Sequence, residues 1–161
     1  MKQAFAALLL LTILPGCERY PTGIAPAEQV QALVFTDFAA SEVFYRDSAG
    51  DDARRLFLCY GKPETDAASR VLAYVSHSFR SVRPYSAAVR SAQTGIYSEP
   101  TTGEPGTLLH IAPFSVPASG PLTVTITSSY ERGAAGYSYR LELMQGRWRI
   151  IDHHRKWIAC K

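Results

Sequence analysis

Hydrophobic and polar residues alternate most regularly near the end of the chain. Leu122, Val124 and Ile126 fall on one side of this stretch and Thr123, Thr125 and Thr127 on the other. That is the period of two of a half-buried strand, rich in β-branched residues. Tyr137, Tyr139, Leu141 and Leu143 repeat the pattern, as do Trp148 and Ile150. Gln145-Gly146 between the last two runs suits a two-residue hairpin turn, where glycine accepts a positive φ. Such a turn sets Leu143 opposite Trp148 and Leu141 opposite Ile150. A slip of one residue would put Trp148 among polar partners. A looser Glu131–Gly136 loop keeps the phase, with Ile126 near Leu141 and Val124 near Leu143. Leu122 to Ile158 therefore predicts a three-stranded β-meander.

Helical periodicity governs the first half. Val30, Leu33, Val34 and Phe38 form one stripe over Ala27 to about Ala40, with Pro26 and Glu28 at its start and a continuation to Tyr45 within reach. Asp47 to Asp52 reads as a loop. Leu56 to Tyr60 is a short unbroken apolar run ended by Gly61, expected to be a strand covered on both faces. A second helix is predicted from Lys62–Asp66, with Val71, Leu72, Val75 and Phe79 as its stripe and Arg83-Pro84 as its stop. Ser86 to Pro105 is turn-rich, with a short strand near Val89. Leu108 to Val116 is expected to be a strand bent or edge-placed by Pro113. Helices followed by strands indicate an α+β domain, two helices packed on a curved antiparallel sheet that ends in the meander.

Composition changes the picture mainly at the start. The chain has 161 residues and 47% hydrophobic content, enough for one domain with a real core. Met1-Lys2-Gln3 is a short positive segment, and Ala4 to Leu14 is an apolar run too short to span a bilayer as a helix. The run ends in Leu14-Pro15-Gly16-Cys17. This tetrapeptide resembles the lipobox of bacterial lipoproteins, with an aliphatic residue three before the cysteine and a small residue just before it. The resemblance implies cleavage after Gly16, lipid on Cys17 and a stable membrane anchor through several acyl chains. Glu18 in the following position implies the outer membrane, facing the periplasm. The competing reading is an ordinary secretory signal with a chance cysteine. The expected organisation is thus a signal peptide over 1–16, a lipidated tether over 17–26, whose prolines and glycine suit a linker, and one domain over 27–161.

Without the signal segment, 16 basic side chains stand against 14 acidic ones. That near-balance, with the compartment, argues against nucleic acid as a partner. With Cys17 lipidated, Cys59 and Cys160 remain in an oxidising compartment, and a disulfide between them is expected, the competing reading being an inert buried Cys59 thiol with Cys160 free or paired to another molecule.

The order of elements, with Tyr137-x-Tyr139-x-Leu141, Gly146-Arg147-Trp148-Arg149-Ile150 and Trp157-Ile158, resembles the NTF2-like (cystatin-like) superfamily. The resemblance covers the last forty or so residues well and the rest loosely. It implies a pocket between helices and sheet, in members that include both enzymes and plain binding modules.

Asp152, His153 and His154 are the best candidates for chemistry. On a strand, Asp152 and His154 share a face and His153 takes the other. Asp152 and His154 could form a base with its orienter or two metal ligands, or merely mark a strand running into solvent. His77 and His110 supply no third ligand that the sequence can place, so no metal and no cofactor is expected. Tyr130, Tyr137, Tyr139 and Trp148 share the inner face of the meander, as a pocket lining or as core. Ser41, and Ser76 beside His77, lack the strand–turn–helix setting of a nucleophile elbow. The leading expectation is a non-enzymatic, lipid-anchored module that binds an envelope protein or a small ligand, of an immunity or inhibitor type. The alternative is a small hydrolase or lyase using the sheet pocket.

Overall fold

A computed structural model of the chain describes residues 23–46, 55–130 and 133–160. The signal segment, Cys17, most of the tether and the expected Asp47–Asp52 loop lie outside the described residues. Over the described residues the fold is α+β, with two helices and a large sheet of nine strands.

Helix α1 spans Pro26–Arg46. Its start follows from local chemistry: Pro26 occupies the first helical position, and the Glu28 carboxylate reaches back to the Ala25 N–H at 3.3 Å, half of a capping box. Val30, Ala32, Val34, Phe35, Phe38 and Ala39 are all at most 1% exposed. The buried arc is wider than the single stripe expected, because α1 meets both the sheet and the second helix. Complete burial of Val30, Val34, Phe35 and Phe38 contributes about 1.5–3 kcal/mol each.

Strand β1 (Arg55–Tyr60) alternates perfectly between two covers. Leu56 and Leu58 join the main core under the helices, and Phe57 and Cys59 join a small second core with Leu108, flanked by Tyr85, Ala88 and Tyr97. The chain then reverses at Gly61 into β2 (Thr65–Asp66), which pairs antiparallel with β1. The second helix, α2 (Ser69–Ser76), therefore starts later than Lys62–Asp66 suggested. Thr65 donates its hydroxyl to the Tyr60 carbonyl at 2.9 Å and holds that segment as a hairpin. After α2 come β3 (Val82–Pro84), a 3₁₀ turn (Tyr85–Ala87), β4 (Val89–Arg90) and β5 (Tyr97–Ser98). Strand β6 (Pro105–Ile111) ends two residues before Pro113.

The sheet is mixed, not antiparallel throughout. Its main order is β2-β1-β6, continued by β7 (Leu122–Tyr130), β8 (Gly133–Met144) and β9 (Arg147–Cys160). β1 runs parallel to β3 and to β6. Parallel neighbours need long crossovers, and α2 provides the one to β3.

The final hairpin has the expected register. Leu143 faces Trp148 and Leu141 faces Ile150, and Gln145 and Gly146 both take positive φ, 53° and 74°, as a primed two-residue turn requires. The β7–β8 pairing keeps the phase but sits four residues away from the expectation: Ile126 faces Tyr137 and Val124 faces Tyr139. β7 runs on to Tyr130 and β8 begins at Gly133, so the connection is much tighter than a Glu131–Gly136 loop.

Trp148 is 3% exposed in the main core. Trp148→Ala is expected to lower stability by about 3–5 kcal/mol in urea melts. A loss below about 1 kcal/mol would contradict its place in the core.

Candidate functional site

The last strand decides where the candidate residues point. Between Gly136/Tyr137 and between Arg140/Leu141 the β8–β9 register shifts, leaving Lys156 and Ile151 as extra residues in β9. Each such bulge inverts the alternation of faces beyond it. Asp152 and His154 consequently pair with Arg140 and Ser138, on the face away from the helices, while His153 turns toward Tyr139. An unbroken strand would have set Asp152 and His154 on the helix side with Trp148 and Ile150.

Asp152, His153 and His154 are all exposed. The other histidines lie elsewhere: His77 Nδ1 is 2.7 Å from the Ala73 carbonyl on α2, and His110 Nε2 is 2.9 Å from the Gly61 carbonyl beside β6. Among the described residues no three His, Cys, Asp or Glu side chains form a metal-holding group. Asp152 and His154 thus share a face, opposite Arg140 and Ser138, without a third His, Cys, Asp or Glu beside them among the described residues.

The inner-face aromatics divide. Tyr139 and Trp148 are buried, whereas Tyr130 and Tyr137 are partly exposed. Phe38 of α1 meets Tyr137 edge-on at 4.9 Å, and the Arg155 guanidinium stands 5.7 Å from the centre of the Tyr137 ring. Tyr139 donates its hydroxyl to Asp37 Oδ2 at 3.0 Å, and its ring stacks on His153 at 5.2 Å. Asp37, Tyr139 and His153 therefore form a chain of contacts that ties α1 to the final hairpin. Tyr139 is 1% exposed, so its hydroxyl serves as a tie between layers and not as a group open to substrate. Sequence reasoning passed over Asp37. Its signal was a carboxylate between Phe35 and Phe38 on a largely apolar helix, where a partner is required.

A second charged group pins the far end of the sheet. Arg55 Nε contacts Glu99 Oε2 at 2.8 Å, and its terminal nitrogen contacts Glu104 Oε2 at 2.6 Å. The Arg55 and Glu99 side chains are only 16% and 17% exposed. Arg83 stands 3.8 Å from the same Glu99. These pairs join the starts of β1 and β3 to the β5–β6 loop.

The expected Cys59–Cys160 disulfide is not a feature of this structure. Cys59 carries a free, fully buried thiol on β1. Strands β6, β7 and β8 stand between β1 and β9 in the sheet order. Cysteine counting carries no information on strand order, which is what separates the pair. Burial, then the nearby Glu64 carboxylate, pushes the Cys59 thiol up to about 12.

Two predictions follow the buried polar groups. In a chain bearing Cys17→Ser and Cys160→Ser, Cys59 should resist a disulfide reagent at neutral pH until denaturant is added. Because its folded-state value is raised, the thiol favours folding at neutral pH. That contribution is lost between pH 9, where the unfolded thiol ionises, and about 12, where the folded one does. Cys59→Ala should lack this component in pH-dependent melts, and rapid labelling of the native protein would contradict the assignment. Tyr139→Phe should lower stability by about 1–3 kcal/mol by depriving Asp37 of its donor. An unchanged melt would show that the tie is dispensable.

Among the described residues no helix is long and apolar enough to cross a membrane. Comparison with known proteins found no matching family model, no matching curated protein and no matching solved structure.

Proposed function

We propose that this chain is a non-enzymatic binding module, anchored by lipid on Cys17 to the outer membrane and facing the periplasm. The observation that carries the binding role is β9: every residue from Ile151 to Ala159 is exposed, on a strand with a free edge among the described residues. The anchor rests on the charged start, the short apolar run and the lipobox-like Leu14-Pro15-Gly16-Cys17. Two helices against one face of a sheet, with Gly146-Arg147-Trp148-Arg149-Ile150 in the last hairpin, support an NTF2-like (cystatin-like) domain. Within this class, an immunity or inhibitor role protecting the envelope suits the size and the compartment.

Two measurements test the reading. Radiolabelled palmitate should label the wild type and not Cys17→Ser, and labelling that survives the change sinks the anchor. A photo-crosslinking amino acid at Ile151 should give a discrete adduct in the membrane fraction of producing cells. The same probe at Ala73, exposed on α2, should give none. Absence of an adduct at Ile151, or equal adducts at both positions, would remove the binding role from β9.

A further inference from the structure

β9 is the last strand of the sheet, and among the described residues nothing pairs with its far edge. Its 14 residues extend about 46 Å. Ile151, Trp157 and Ile158 are 47%, 44% and 49% exposed. Trp157 faces Gly136 of β8, where a Cβ would collide with the indole. The glycine thus lets the ring lie against the backbone with much of its surface still open. An edge of this kind offers a row of N–H and C=O groups that another extended chain can complete.

Charge selects the chain. β9 carries Arg147, Arg149, Arg155 and Lys156 against Asp152 alone. Among the described residues no carboxylate lies within ion-pair distance of Arg149, Arg155 or Lys156, and Glu142, opposite Arg149 on β8, contacts Arg140 instead. A second copy of β9 would bring the same excess of cations, four against one carboxylate, to both sides of the pair, whereas an acid-rich segment brings the opposite sign.

We propose that the free edge of β9 accepts an acid-rich extended segment of a partner protein as an added strand. Carboxylates of the segment meet the exposed cations of β9, Arg149 and Arg155 reaching it from opposite faces, and its apolar side chains rest beside Trp157 and Ile158. This rests on the binding-module reading above and names the chemistry of the partner.

The probe is a fluorescent peptide of alternating glutamate and valine, titrated with the purified full chain and read by anisotropy. Saturable binding is expected. The matching lysine–valine peptide should bind at least about tenfold more weakly, and salt near 0.5 M should weaken the acidic complex. Arg149→Glu with Lys156→Glu should reverse the preference between the two peptides, a result that general destabilisation cannot produce. An acidic peptide methylated on alternate backbone nitrogens keeps its charge but loses one row of donors, and it should not bind. Failure of the acidic peptide to bind, binding indifferent to the charge reversal, or full binding of the methylated peptide would each overturn the proposal. So would binding of anionic vesicles in place of the peptide, or a concentration-dependent dimer that Arg149→Glu dissolves. A retained Ile151 crosslink with no peptide binding would leave the binding-module reading standing and remove only this partner.

Discussion

The fold depends on covering α1. A helix buried over so wide an arc has no stable solution as a surface element, because Phe35 and Phe38 would stand in water on adjacent stripes. The sheet supplies one cover through Val124, Ile126, Tyr139 and Leu141, and α2 supplies the other through Val71 and Val75. Asp37, like the buried Gln31, is a polar side chain on this helix. Its bond from Tyr139 lets one carboxylate sit at the layer boundary without an unmet acceptor, and it fixes the helix along the strand direction where apolar contacts alone would allow sliding. The hydrogen bond adds little net energy beside the apolar burial. Its value lies in selecting one docking position.

Much of this was legible in the residues, and what was missed has physical causes. The final hairpin could be read because a two-residue turn leaves no freedom: once Gln145 and Gly146 take positive φ, Leu143 must face Trp148. The β7–β8 register could not, because only parity is visible in an alternating pattern. Pairings that differ by four residues bury the same faces equally well. The late start of α2 was hidden by Pro63, Glu64 and Asp66, which suit a first helical turn. In the structure Asp66 instead accepts hydrogen bonds from the Ser86 N–H and hydroxyl at 2.6 and 2.7 Å. That partner is twenty residues away, and no local signal announces it. Parallel pairing of β1 with β6 was likewise out of reach, since β1 has the same apolar run in either direction.

The candidate site shows the same division. That Asp152 and His154 share a face was correct, because both lie between the two bulges. Which face they share was not legible, since a bulge leaves no mark on an alternating pattern. One extra residue, Ile151, moves Asp152 and His154 away from the helices and carries His153 onto the Tyr139 ring. The polar tie through Asp37 and Tyr139 joins residues about a hundred positions apart. A lone carboxylate on an apolar arc signals that a partner exists without saying which.

The two bulges and the cations of β9 belong to one physical problem. A long exposed edge invites unplanned pairing, and proteins discourage it with bulges, lysines and like charge. β9 has all three, with extra residues at Ile151 and Lys156 dividing it into short regular runs. These devices do not act equally on every incoming chain. A bulge weakens any long, flat partner, so it disfavours an extended copy of β9 more than a short segment matched to one run. Positive charge repels a copy of the same strand and attracts an acidic one, so a feature that protects against self-association is also a filter for sign. The exposed Trp157 and Ile158 then lie at the end of a run where pairing is regular, from Trp157 opposite Gly136 to Cys160 opposite Gly133. Backbone donors, a large apolar surface and nearby cations coincide at that end, and Arg149 with the exposed Ile151 extends the combination along the edge.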